Sequence, residues 1–202
     1  MIKKSTLLIL LITMLVSTTS FSQAHKTAVD YVGIPGPILF EKQSFNLSWS
    51  AHPSGNFYKQ EYIAKGVDAG KYKTMVLIDV MTGEADIKTV VGAKLAELKQ
   101  LKAANPIVNY DSFQKNGEYM IDFLLSANGP DGKTMSIVER NVYRYKIFTD
   151  KSGQKGVLLF GISTRGYGTG INPFLIALKA NKGTLVNAVA QYKLPEVMIT
   201  VK

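Results

Sequence analysis

Between residues 119 and 164 the chain alternates apolar and polar residues in three successive runs, each separated from the next by a turn signal. Tyr119, Ile121, Phe123 and Leu125 define the first run. Asn128-Gly129-Pro130-Asp131-Gly132 follows, and then 134–148, carried by Val138, Val142, Tyr143, Tyr145 and Ile147. Residues 150–156 turn the chain again before 157–164 (VLLFGIST) returns as an apolar run. Period-two alternation bounded by Gly, Pro, Asn and Asp reads as strands. Strands joined by short turns pair antiparallel, because a parallel pair needs a crossover of a dozen or more residues. An antiparallel meander is therefore the anchor for every other assignment.

Upstream, Phe45, Leu47 and Trp49 alternate with polar residues and read as a half-buried strand, with a turn over 50–56. Residues 57–64 (FYKQEYIA) alternate again, 65–73 read as a loop, and 74–81 (TMVLIDVM) as an apolar central strand. The helical pattern is clearest over 84–104. There Ile87, Val91, Leu95, Leu98 and Leu101 recur at intervals of three and four, Lys and Glu fill much of the other face, and Pro106 ends the run. A short strand is expected over 107–113. Residues 165–170 (RGYGTG) read as a flexible loop, and Asn172-Pro173 as N-cap and first-turn proline of a helix through Leu175 and Leu178. A second short helix is expected from Thr184 to Pro195, with a last edge strand after it. Strands, helix, strands and then helices make an α+β chain with an antiparallel sheet covered by helices.

Residues 1–24 read as an export signal. Lys3 and Lys4 form a basic start, and 7–16 (LLILLITMLV) an apolar stretch that spans only about 15 Å as a helix. Ser22 and Ala24 suit the small positions before a cleavage site, so the mature chain is expected to begin at His25, in the periplasm or outside the cell. No later stretch approaches the ~18 apolar residues of a membrane span. Residues 25–44, with the Gly33-Ile34-Pro35-Gly36-Pro37 knot, read as an extended N-terminal arm, and 45–202 as a single domain.

This order of elements resembles the PsbP-like fold. The resemblance rests on the strands around Trp49 and Tyr58-Lys59-Gln60-Glu61-Tyr62, the loop 65–73, the apolar strand 74–81, and a helix preceding the meander. It implies an antiparallel sheet sandwiched between helices. Because that fold includes assembly and binding factors with no shared chemistry, it also favours binding over catalysis.

The chain has 202 residues and no cysteine, which excludes thiolate metal sites, iron–sulfur clusters, thiol catalysis and disulfide frameworks. The formal charge of +9 rests on 21 lysines and only three arginines (Arg140, Arg144, Arg165), and it falls to +7 over residues 25–202, without Lys3 and Lys4. Scattered lysine keeps a domain soluble, whereas phosphate and base recognition favour the planar arginine fork. No nucleic-acid partner and no cofactor are expected.

Four groups of residues bear on function. A cleaved chain would offer the α-amine and imidazole of His25, which with His52 would form a copper-binding histidine brace; the alternative is a frayed terminal histidine and a turn histidine. Asp79 interrupts Met75-Leu77-Asp79-Met81, and Asp122 lies between Met120 and Leu124; inward acids on strands could act as general acid and base of a hydrolase, or could be structural ion-pair partners. Arg140, Val142, Arg144 and Lys146 share one face of their strand, with Tyr143 and Tyr145 on the other, a basic strip that either binds a ligand or is simply solvated. Arg165 and Tyr167 sit in the glycine-rich segment before a helix start, where free amides can hold an anion. The expectation is a binding or accessory module without catalysis, whose surface combines Arg140, Tyr143, Arg144, Arg165 and Tyr167 and whose partner is a protein or envelope ligand. The rival is a periplasmic hydrolase working through Asp79 and Asp122.

Overall fold

The computed structural model describes residues 28–199. Its elements are β1 (Ile38–Phe40), β2 (Gln43–Ser54), β3 (Phe57–Ile63), β4 (Thr74–Thr82), α1 (Ile87–Ala104), β5 (Asn109–Lys115), β6 (Glu118–Asn128), β7 (Met135–Thr149), β8 (Lys155–Tyr167), α2 (Ile171–Ala180) and α3 (Lys182–Gln191). All eight strands join one antiparallel sheet in the order β1-β2-β3-β4-β8-β7-β6-β5. The expected meander is β6-β7-β8, and β8 then pairs with β4 to fuse the two halves.

The sheet has two apolar faces. On the first, Tyr58, Tyr62, Val76, Ile78, Val80, Val142, Leu158, Phe160 and Ile162 pack with Val189 of α3. The N-terminal segment completes this core: Val32, Ile34, Ile38, Phe40 and Phe45 are all buried. The described part of this segment, residues 28–44, thus supplies a hairpin and part of the core. Buried Gln60 holds the segment in place by accepting from the Tyr31 amide at 2.6 Å and the Val32 amide at 3.2 Å, while the Tyr62 hydroxyl donates to the Ile34 carbonyl at 2.6 Å. A buried amide and hydroxyl that satisfy backbone groups remove the penalty of burying either side. On the second face, Ile87, Val91 and Leu98 of α1 pack on Ile121, Phe123, Tyr145 and Val157.

The expected PsbP-like sandwich, a sheet held between two helical layers, is contradicted. The molecule is built mainly of strand, and its single eight-stranded sheet curls into a half-barrel. Strand twist accumulates across so many neighbours, and the register shifts between β2 and β3 bend the sheet further. The helices cover it only in part. α1 lies over β6–β8, while much of the first face is closed by residues 31–40 and 192–197 instead of a helix.

Smaller corrections concern boundaries. β2 runs on through His52 and Pro53, which were expected in a turn. β8 extends through Arg165, Gly166 and Tyr167, so the expected flexible loop shrinks to a 3-10 turn at Gly168–Gly170. α2 starts at Ile171 with Gly170 as its cap, placing Asn172 and Pro173 inside the first turn. Residues 192–199 end the described chain without regular structure, although the Met198 amide donates to the Val32 carbonyl at 2.9 Å. Among the described residues, no helix is long and apolar enough to cross a membrane.

Candidate functional site

The two arginines of the β7 strip are spent inside the molecule, while Lys146 stays exposed. Arg140 is buried and grips Asp122 with two parallel bonds of 2.9 Å, Nε to Oδ1 and Nη2 to Oδ2, and Nη2 also donates to the Lys182 carbonyl at 2.5 Å. Arg144 donates to Glu118 at 2.6 Å and to the Val189 and Tyr192 carbonyls at 3.1 and 2.9 Å. Those carbonyls close the C-terminal end of α3, where unsatisfied acceptors and the negative end of the helix dipole favour a cation. The face expected to be solvated is therefore roofed by α3, and its arginines are clamps.

The other members of the expected surface are also engaged. Arg165 ion-pairs with Glu139 and stacks on the Tyr72 ring, 4.1 Å from its centroid. The Tyr167 hydroxyl donates to the Tyr72 carbonyl at 2.8 Å. Tyr143 lies on the opposite face of β7 from Arg140 and Arg144, edge-on to Phe123, and burial pushes its phenol well above the ordinary range. The structure thus does not bring the five residues together as a ligand surface. It distributes them over two faces as structural contacts.

The two strand acids are likewise separated. Asp122 is opposite Val142, whose side chain belongs to the first core, whereas Asp79 is opposite Leu159 and shares the face of α1. Directly paired residues point to the same side of a sheet, so Asp79 and Asp122 face opposite sides. They cannot flank one scissile bond. His52 stacks on Tyr58, with ring centroids 4.2 Å apart, and His25 lies outside the described residues. Among the described residues, no group of three His, Cys, Asp or Glu is placed to hold a metal.

A cavity of about 210 Å³ lies on the second face, between α1 and the sheet; another, of about 200 Å³, is lined by Asp122 and Arg140 with Leu175, Leu178 and Lys182. The walls of the first are apolar, with Phe57, Met81, Val90, Val157 and Leu159, and Asp79 is set among them. Lys94 and Glu97 of α1 also line it and pair with each other at 3.0 Å. Lys94 extends over the Phe123 ring, 5.0 Å from its centroid. The side-chain alternation of β4 explains the placement: Met75, Leu77, Asp79 and Met81 all point to this face, and the odd positions 57, 59 and 61 of β3 join them through the β3–β4 register.

Asp79 is the unusual member. Its Oδ2 meets the Lys59 ammonium at 3.3 Å, while its Oδ1 is buried and has no hydrogen-bond partner. Burial pushes the carboxyl above its usual range, and the nearby charges of Lys59 and Lys94 pull in the other direction. Glu61, one step along the same face, is also raised by burial, against the pull of Lys59. One further buried acceptor lacks a partner, the Asn141 Oδ1, whose amide donates to Glu139 at 2.9 Å.

A carboxyl raised on folding binds its proton more tightly in the native state. Its contribution favours folding below the unfolded value of ~3.9 and turns against folding as pH rises through the native value. Asp79→Asn is therefore expected to flatten the decline in stability that sets in as pH rises above the unfolded value of ~3.9, relative to wild type. Urea melts of both proteins at pH 4 and pH 7 measure this. An equal pH dependence in the two would show that folding leaves the Asp79 carboxyl unshifted.

The inward acid was legible from the alternation around residue 79, but its surroundings were not. Lys59 becomes its partner through strand register, and Val90, Lys94 and Glu97 lie on the shoulder of a helix whose central apolar stripe carries the obvious signal. A column at 90, 93, 94 and 97, spaced three, one and three apart, was the only trace of the cavity wall in the sequence.

A protein-family model matches residues 32–194, so it spans every strand and helix of the domain. No curated protein and no solved structure gives a match.

Proposed function

We propose that this chain, which belongs to the family matched over residues 32–194, is an exported binding module that holds a small ligand between α1 and the sheet and performs no catalysis. The observation that carries this reading is the cavity itself: apolar walls with the Asp79 side chain set among them, whose Oδ1 is buried without a partner. Apolar walls with a few placed polar groups are the usual make-up of a small-molecule site. Export rests on the leader-like residues 1–24, and N-terminal sequencing of the processed protein should then read His25 first; an intact Met1 would overturn it.

The hydrolase alternative finds less support. Asp79 and Asp122 face opposite sides, Asp122 is locked to Arg140, and Glu61, which does share a face with Asp79, is not part of the cavity wall. Turnover by the purified protein, lost in Asp79→Asn with the fold intact, would reverse this preference.

Ala93 is exposed on α1 at the cavity wall, so a larger residue there should fill the space without disturbing the core. Saturation-transfer NMR with ring-sized fragments is expected to show binding to wild type and at least a tenfold loss in Ala93→Trp. Unchanged fragment binding in that variant would move the site elsewhere.

A further inference from the structure

We infer that the cavity between α1 and the sheet selects a neutral, ring-sized apolar molecule carrying one hydrogen-bond donor, which it delivers to Asp79 Oδ1. This inference deepens the proposed binding role and rests on it.

Size comes first. An apolar cavity of ~150 Å³ is enough to hold a benzene ring. A space of about 210 Å³ walled by Phe57, Met81, Val90, Val157 and Leu159 therefore suits a substituted six-membered ring or a hydrocarbon of similar bulk. Sugars with many hydroxyls and nucleotides suit it poorly, because polar groups placed inside would meet carbon.

Charge comes next. The charged side chains that line the cavity are Asp79, Lys94 and Glu97, beside the phenol of Tyr145; Asp79 pairs with Lys59, outside the wall, at 3.3 Å, and Lys94 pairs with Glu97 at 3.0 Å. Each pair is locally neutral. An anionic ligand would have to enter beside Asp79 and Glu97, and a cationic one beside Lys59 and Lys94, with no surplus of opposite charge to offset its lost hydration. A neutral ligand meets neither obstacle.

The donor follows from the orphan oxygen. Oδ2 of Asp79 is occupied by Lys59, and Oδ1 is buried with nothing to accept from. A buried acceptor left unmade is costly, and a bond to an ionised group is worth more than one between neutral groups. The terminal torsion of an aspartate is broad, so Oδ1 can turn toward an incoming hydroxyl while the strand stays fixed. A ligand hydroxyl or N–H would thus supply the interaction that the protein itself does not.

Phenol and toluene have nearly the same shape and differ in the donor alone, which makes them suitable probes. The dissociation constants of both are measured by NMR titration of wild type, Asp79→Leu and Asp79→Asn, at neutral pH. Wild type is expected to bind phenol about ten to a hundred times more tightly than toluene, from the worth of a hydrogen bond to a charged group. Asp79→Leu is expected to reverse the preference, and Asp79→Asn, which keeps the shape and removes the charge, to reduce it. Equal binding of the two probes by wild type would overturn the donor inference while leaving a ring-binding cavity. A phenol preference that survives both substitutions would assign the donor contact to another group and overturn it too. Binding of neither probe would overturn the proposed binding role, and this inference with it.

Discussion

An Asp122→Ala variant is expected to unfold about 3–5 kcal/mol more readily than wild type, the usual cost of leaving one member of a buried ion pair without its partner. Asp122 and Arg140 are both nearly inaccessible, 5% exposed each. The pair ties β6 to β7 with two bonds of 2.9 Å, and the same guanidinium reaches the first residue of α3 through the Lys182 carbonyl. Removing the acid therefore leaves a buried cation and loosens the seat of a helix. The sharper form of the prediction is the double variant Asp122→Leu/Arg140→Met. It removes both charges and fills the space with carbon, and it should recover most of the loss, because replacing a buried pair by apolar residues of similar volume is often neutral. Urea denaturation of the three proteins decides the matter. A loss below about 1 kcal/mol in Asp122→Ala would be the behaviour of an exposed pair and would contradict the burial described here.

Gly156→Ala is expected to cost about 3 kcal/mol or more, at the upper end of what overpacking does. The residue pairs with Thr82 on one side and Phe148 on the other, where β8 begins to run between β4 and β7. A methyl group added there would lie 2.2 Å from the Met81 carbonyl oxygen, 2.8 Å from the Phe148 ring and 3.0 Å from the Thr82 Cα. Two of those three atoms are backbone, so the strand itself must move. Gly92→Ala is the matched control. Gly92 lies inside α1, and nothing stands within 4 Å of its added methyl group. Alanine there should stabilise by about 0.5–1 kcal/mol through helix propensity alone. Thermal melts of the two variants should therefore shift in opposite directions, and a neutral Gly156→Ala would show that the β4–β8 junction is looser than this geometry.

The strands that alternate cleanly were readable from the sequence, and so was α1 with its stripe at Ile87, Val91 and Leu98. The β1–β2 hairpin was not, because its two-residue turn is Glu41-Lys42. Both take positive φ, 47° and 65°, a conformation normally signalled by Asn or Gly. Without that signal, residues 38–40 read as an arm. The segment around Gly166 misled in the opposite way. Its glycine suggested a flexible loop, but an added methyl group would lie 2.8 Å from the Phe174 Cβ, so the glycine admits α2 against a strand. As for the site, period two correctly grouped Arg140 with Arg144 and set Tyr143 apart. Which of the two faces would be roofed depends on where α1 and α3 land, and no local pattern carries that. The same limit applies to Asp79, whose inward aim follows from its own strand while Lys59 reaches it through register.

Ligand entry between α1 and the sheet at Asp79 should be visible in the backbone amide shifts of the 15N-labelled protein, followed while phenol is titrated in. The largest shifts are expected on residues 90–97 of α1, on 79–81 of β4 and on 157–159 of β8, the segments that wall the cavity. Shifts centred instead on Arg140, Arg144, Arg165 and Tyr167, with 79 and 90–97 unmoved, would contradict it.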